Sequence, residues 1–300
     1  MCTALAAALL FSVAAGVSAQ AFFSPQTSQR AATKYPILLV HGAGFHDTMA
    51  GLNYWGRIPA ALEQNGAQVF FGGQDAWGSV EVNAATIKES VERILDETGA
   101  DRVNIIAHSR GGIEARYMIS SLGMAPYVAS LTTVSTPHHG SRTVDVFTGM
   151  PTPFRRMVAG PVNAWFWLIG DRRPDFYSSI ESMSTDFMTQ FNIDHPDDPR
   201  VYVQSFAGRM DTVWSDPLIA PAFAVVYWFD GPNDGLVSVE SAQWGNFRGV
   251  IRSASHRGVS HADTTDYRRM NFSLWASDDG IADIREFYIE LAADLKSMGL

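Results

Sequence analysis

Short apolar runs and helically spaced apolar positions alternate along most of this chain. Ile37-Leu38-Leu39-Val40 is an unbroken apolar tetrad, the pattern of a strand buried on both faces. Trp55 to Asn65 reads as a helix stopped by Gly66, and Gln68 to Phe71 as a second strand. Ile87, Val91, Ile94 and Leu95 recur at helical spacing, with Gly99 as the stop. Val103 to Ala107 gives a third strand, which runs through a turn into a helix carrying Tyr117 and Met118, and Val128 to Val134 gives a fourth. Farther on, Val201 to Phe206 and Ala222 to Trp228 resume the strand-like pattern, and Ile281, Ile284, Phe287, Leu291 and Leu295 mark one face of a closing helix. Strands alternating with amphipathic helices predict βαβ units, hence an α/β fold with a mostly parallel central sheet flanked by helices.

The alternation breaks over about 147–175, where Pro151, Pro153, Gly160, Pro161 and Gly170 punctuate a stretch rich in Phe154, Met157, Val162, Trp165, Phe166, Trp167 and Leu168. A helix bearing so many apolar groups either packs on the core as a cap or offers its face to a lipid surface. A second departure is the leader. Ala4 to Val17 is apolar and uncharged, and Val17-Ser18-Ala19 supplies the small residues that a signal peptidase reads. The expected organisation is a signal peptide at 1–19, a polar spacer at 20–34 and one α/β domain at 35–300 containing the insertion. The protein would then be secreted, with transit through a periplasm as an open route. No Lys or Arg precedes the apolar run, so a retained anchor is the alternative.

Composition narrows the partners. A formal net charge of −9 argues against nucleic acid and against electrostatic docking on anionic membranes. Aromatic residues make up 12%, with eight Trp, which calls for a large core or an apolar binding surface. The single cysteine, Cys2, lies in the leader, so the mature chain has no disulfide or cysteine metal site to use.

Candidate chemistry centres on Ala107-His108-Ser109-Arg110-Gly111-Gly112, between a strand and a helix. A nucleophilic serine at such a junction sits on a sharp, strained turn, with little room two positions to either side, and the usual string is Gly-x-Ser-x-Gly. Ala107 replaces the first glycine at the cost of one methyl. The following helix aims free N–H groups at the place where negative charge would develop. His41-Gly42-Ala43-Gly44, after the first strand, is the loop that lends a second donor in folds of this kind. The oxyanion donors would be the main-chain amides of Ala43 and Arg110, with His41 fixing the loop. The base and its orienting acid must follow in the order Ser, acid, His. His256 and His261 both lie far enough downstream, and Asp230 and Asp234 both qualify as the acid. His195 falls before the last strands, and His138 and His139 follow the fourth strand and read as structural.

These strings have a family resemblance. Tyr35-Pro36-Ile37-Leu38-Leu39-Val40-His41-Gly42, Asn53-Tyr54-Trp55-Gly56, Val103 to Ser109, Ser135-Thr136-Pro137-His138-His139-Gly140-Ser141 and Asn233-Asp234-Gly235-Leu236-Val237 occur in this order. The chain after Lys34 resembles the bacterial true-lipase family, which includes the pseudomonad triacylglycerol lipases, and within it the branch lacking the disulfide. The resemblance implies the α/β-hydrolase fold and makes Ser109 the nucleophile, Asp234 the acid and His261 the base. It also implies a lid over the 147–175 insertion and a structural Ca²⁺ beside the histidine loop, held by Asp216 and Asp263. Tyr267 is a departure, standing where relatives use an amide side chain.

The expected activity is therefore triacylglycerol hydrolysis through an acyl-enzyme, with a lipid or ester substrate, a lipid–water interface and no organic cofactor. A short-chain carboxylesterase, a polyester depolymerase, an acyltransferase and a silent lipid-binding module are the alternatives. No string identifies a dedicated folding chaperone.

Overall fold

In the first strand, Ile37 and Leu39 join one apolar cluster and Leu38 and Val40 another, and all four are buried. A strand buried on both faces needs a layer of helices on each side. The computed structural model of the protein, which describes residues 28–49, 52–168, 170–272 and 280–300, supplies both layers. The expected signal peptide and most of the spacer lie outside the described residues.

The central sheet has six strands: β1 (Ile37–Val40), β4 (Val69–Phe71), β5 (Val103–His108), β6 (Val128–Val134), β7 (Tyr202–Ala207) and β9 (Asn246–Val250). Their order is β4-β1-β5-β6-β7-β9, and every pairing is parallel. Short antiparallel pairs join β2 (Thr48–Met49) to β3 (Leu52–Asn53) and β8 (Arg209–Met210) to β10 (Gly258–Val259).

One face carries α1 (Ile58–Gln64) and α9 (Ile284–Ser297), whose Ile58, Leu62, Tyr288 and Leu291 pack with Ile37, Leu39 and Ile106. The other carries α2 (Val80–Thr98) and α3 (Gly111–Ser121), whose Ile87, Val91, Ile94 and Met118 pack with Leu38, Val40 and Ile105. Each such buried side chain contributes roughly 1.5–3 kcal/mol relative to exposure. Local signals set the ends: the Ser79 side chain accepts from Val82 N–H, and Gly99 closes α2 at φ 70°, where a glycine carries no Cβ penalty.

The remaining helices gather over the C-terminal ends of the strands: α4 (Arg142–Thr148), α5 (Thr152–Leu168), α6 (Phe176–Glu181), α7 (Thr185–Asp194) and α8 (Ala220–Asp230). The insertion expected at 147–175 is thus mainly α5. Behind its last turn, Asp171 accepts from the amides of Ala76 and Trp77, and Asp75 accepts from those of Arg172 and Arg173.

Three expectations need correction. Ala222 to Trp228 is not a strand but most of α8, with Pro221 in its first turn and Gly231 as its C-cap. The last sheet strand is instead Asn246–Val250, a half-exposed edge. Ile281 precedes the closing helix and forms a parallel bridge to Ser253.

Candidate active site

The turn from β5 into α3 is sharp because Ser109 adopts φ 54°, a left-handed conformation that a side-chain-bearing residue takes only where its surroundings hold it. Three contacts hold it: Ser109 N–H donates to Val134 O (2.9 Å), and Ser109 O accepts from Thr136 Oγ1 (2.7 Å) and Gly112 N–H (3.0 Å). Gly111 is required by closeness, since a Cβ there would stand 2.2 Å from the His41 carbonyl oxygen. Ala107 fits, fully buried, at the end of β5.

Ala43 lies across from this turn, on the loop after β1. Among the described residues, neither the Ala43 nor the Arg110 amide donates a hydrogen bond, and Ala43 and Ser109 line one cavity. The His41 ring pins the loop between Gly42 O (2.8 Å) and Gln74 O (3.1 Å). The Arg110 guanidinium is wholly buried and reaches Glu114, Ser182 Oγ and the Gly78 carbonyl, so the helix start is tied to the layer above it.

His261 follows β10, and its Nδ1 lies 2.8 Å from Asp234 Oδ2. The other carboxylate oxygen of Asp234 accepts from the amides of Leu236 (3.0 Å) and Val237 (2.9 Å), and His261 N–H donates to Asp234 O (2.8 Å). Asp234 is fully buried and His261 nearly so. A carboxylate held this way by main-chain donors fixes the imidazole with Nδ1–H toward Asp234 and Nε2 free to accept. Ser109 and His261 line the same cavity, without a hydrogen bond between their side chains among the described residues. Asp230 sits instead at the end of α8, paired with Arg142 (3.4 Å), and His256 is exposed.

The cavity has a volume of about 500 Å³, within the range of small-molecule sites. Its walls are largely apolar, from Phe45, Trp77, Met183, Ile219, Val226 and Leu236.

Residues 35–166 match the α/β hydrolase fold family. A triacylglycerol lipase of Vibrio cholerae is 32% identical over 265 residues, which span 80% of this chain and 82% of that protein. The chain belongs to the bacterial triacylglycerol lipase family. Triacylglycerol lipase 2 of Saccharomyces cerevisiae is 28% identical over 260 residues, covering 83% of this chain and 74% of the yeast protein. The Staphylococcus hyicus lipase structure superposes with a TM-score of 0.66 at 16% identity, over 91% of this chain and 97% of that one, a likeness of fold.

In this lipase-family chain the two carboxylate residues expected to hold calcium, Asp216 and Asp263, both bond to Ser260. Ser260 Oγ donates to Asp216 Oδ2 (3.0 Å) and accepts from Asp263 N–H (3.2 Å), and Ser260 N–H donates to Asp263 Oδ2 (3.2 Å). Asp263 Oδ1 is buried without a partner among the described residues, the kind of oxygen a hard cation takes. Burial pushes the Asp263 carboxyl up from its ordinary range, against the hydrogen bonds from Ser260. Arg268 pairs with Asp216 Oδ1 and Arg257 stands 3.7 Å from Asp263 Oδ2, so part of the charge is met by arginine. No cluster of three or more His, Cys, Asp or Glu capable of holding a metal occurs among the described residues, so a full Ca²⁺ shell would draw on carbonyls and water. The orphaned Asp263 oxygen is thus the donor that suits a cation, whereas one Asp216 oxygen is already taken by Arg268.

Two features were missed in the sequence. Among the described residues, the cavity borders α4 and α8, through Thr143, Val144, Ala222 and Val226. Also, α8 and its flanks expose Trp214 (77%), Leu218 (82%), Tyr227 (56%) and Trp228 (84%), and Leu218 itself lines the cavity. In α5, Trp167 and Leu168 are exposed, as expected of an apolar insertion, while the side chains of Trp165 and Phe166 lie outside the described residues.

Proposed function

We propose that this lipase-family hydrolase cleaves carboxylic esters of the triacylglycerol type through Ser109, His261 and Asp234. The observation that carries the reading is the buried His261–Asp234 pair, 2.8 Å apart, at the rim of the apolar cavity into which the strained Ser109 turn opens. Ser109 Oγ attacks the ester carbonyl while His261 Nε2 takes its proton. Asp234 stabilises the imidazolium, and the Ala43 and Arg110 amides receive the oxyanion. Protonation of the departing alkoxide by His261 leaves an acyl-enzyme, which water hydrolyses by the same sequence in reverse.

The lipid–water interface is the partner this surface fits. From Pro217 to Phe229 the chain carries no charged side chain, and the exposed Leu218 together with Ile219, Ala222 and Val226 lines the cavity, so this apolar segment is continuous with its wall. With a net charge of −9, neutral rather than anionic lipid is the suited surface. Calcium at Asp216 and Asp263 would pin the loop of His261. Export rests on the leader at 1–19, and among the described residues no helix is long and apolar enough to cross a membrane.

The test is hydrolysis of an ester chain-length series, soluble butyrate to emulsified triolein, by wild type and Ser109→Ala. Wild type turns over the emulsified long-chain ester and the variant, still folded, turns over none. Activity confined to soluble short-chain esters would instead mark a carboxylesterase.

A further inference from the structure

The residue before the nucleophile is a histidine with no place in the reaction as written. His108 is fully buried, and both ring nitrogens are engaged. Its Nδ1 is 2.6 Å from Tyr54 Oη and its Nε2 is 2.8 Å from Thr264 Oγ1. Direction follows from the ends of this chain. Thr264 Oγ1 donates its one proton to the His261 carbonyl (2.6 Å), so toward His108 it can only accept. His108 Nε2 therefore bears the proton and Nδ1 accepts from the Tyr54 hydroxyl. Tyr54 Oη in turn accepts from Gly42 N–H (3.0 Å), the amide preceding that of Ala43. Every donor in the series Gly42, Tyr54, His108, Thr264 points the same way and ends on the main chain of His261. Tyr288 Oη fixes the far end by donating to Thr264 O (2.8 Å).

We propose that His108 is a positioning residue, which through Tyr54 and Thr264 couples the oxyanion loop to the loop of His261 across the base of the nucleophile turn. This rests on the hydrolase reading of Ser109 and His261. A one-directional series strengthens each of its members, and losing one hydroxyl releases both ends. It also settles a charge problem. The His108 and His261 rings lie 4.5 Å apart, so a protonated His108 would oppose the imidazolium that catalysis requires. Burial, aided by His261 and His41, holds the His108 pKa well below its ordinary value.

The experiment is a double-mutant cycle of Tyr54→Phe and Thr264→Val, with Thr264→Ser as the conservative variant, read by kcat, KM and melting temperature on a soluble ester. If the series is one unit, each single variant loses roughly tenfold to a hundredfold in kcat. The double variant then loses about as much as the worse single one, rather than the product of the two. Thr264 does not line the cavity, so Thr264→Val leaves KM within about twofold, and Thr264→Ser restores kcat to within about threefold. Losses that multiply, or variants with lowered melting temperature and wild-type kcat, would overturn the proposal. Should Thr264→Val not fold, Tyr54→Phe paired with His108→Gln carries the same comparison. Retained turnover in Ser109→Ala would instead overturn the hydrolase reading, and coupling in melting temperature would still report whether the series acts as a unit.

Discussion

Replacing Asp234 by asparagine changes few atoms and forces a choice that the surrounding main chain decides. In the native site one carboxylate oxygen accepts from two amides, at 3.0 and 2.9 Å, and the other faces His261 Nδ1 at 2.8 Å. Asparagine has a single oxygen. With it toward Leu236 and Val237, both main-chain bonds survive and the NH₂ faces His261. In the flipped orientation the NH₂ meets two N–H donors, and two buried bonds are lost at about 1 kcal/mol each. The first orientation is thus preferred by about 2 kcal/mol, roughly thirtyfold in population. It makes His261 Nδ1 the acceptor, moves the proton to Nε2, and leaves no lone pair for the Ser109 proton. The wrong tautomer alone accounts for roughly a thirtyfold loss of kcat, and loss of the carboxylate beside the imidazolium extends it to as much as ~10⁴. Initial rates on p-nitrophenyl butyrate, with circular dichroism as the check on folding, measure it. A folded Asp234→Asn with kcat within tenfold of wild type would refute the assignment of Asp234 as the orienting acid.

Other consequences follow from close packing, protonation and charge. Gly111→Ala places a Cβ against the His41 and Val40 carbonyl oxygens, so it is expected to cost about 1–3 kcal/mol in urea unfolding, whereas Gly160→Ala in α5, with open space around it, should be neutral or stabilising. His108 is held neutral in the folded state, while the unfolded chain gains its proton below about pH 6.5, so stability falls as pH drops through that value. His108→Gln should flatten this part of the melting-temperature profile. Millimolar Ca²⁺ should raise the melting temperature and EGTA lower it, with both responses lost in Asp263→Asn. Trp228→Asp, at an 84% exposed position, should reduce turnover of emulsified triglyceride while leaving soluble-ester kcat unchanged.

The sequence was informative where burial is continuous or a turn is strained. The first strand, the β5–Ser109–α3 junction and the helix end at Gly99 all follow from residues close together in the chain. Ala222 to Trp228 misled because a short run of alanine, valine and aromatics is apolar in either periodicity. Its helical nature shows only in Pro221 and Gly231 at the ends and in a length of 11 residues. The last strand, Asn246 to Val250, hid for the opposite reason: as a half-exposed edge holding Arg248 and Gly249, it has no apolar pattern to find. Tyr54 lies 54 residues from His108, and Thr264 lies 156 away, so their series exists only once the sheet brings three loops together. Choosing His261 over His256 and Asp234 over Asp230 came from family resemblance rather than from spacing.

If Ser109 is the nucleophile and His261 its base, the serine hydroxyl is uniquely reactive and depends on the imidazole. A fluorophosphonate probe followed by peptide mass spectrometry tests it directly. One covalent adduct is expected, on the peptide containing Ser109, with labelling slowed by orders of magnitude in His261→Ala. An adduct on any other serine, or wild-type labelling speed without the imidazole, would contradict it.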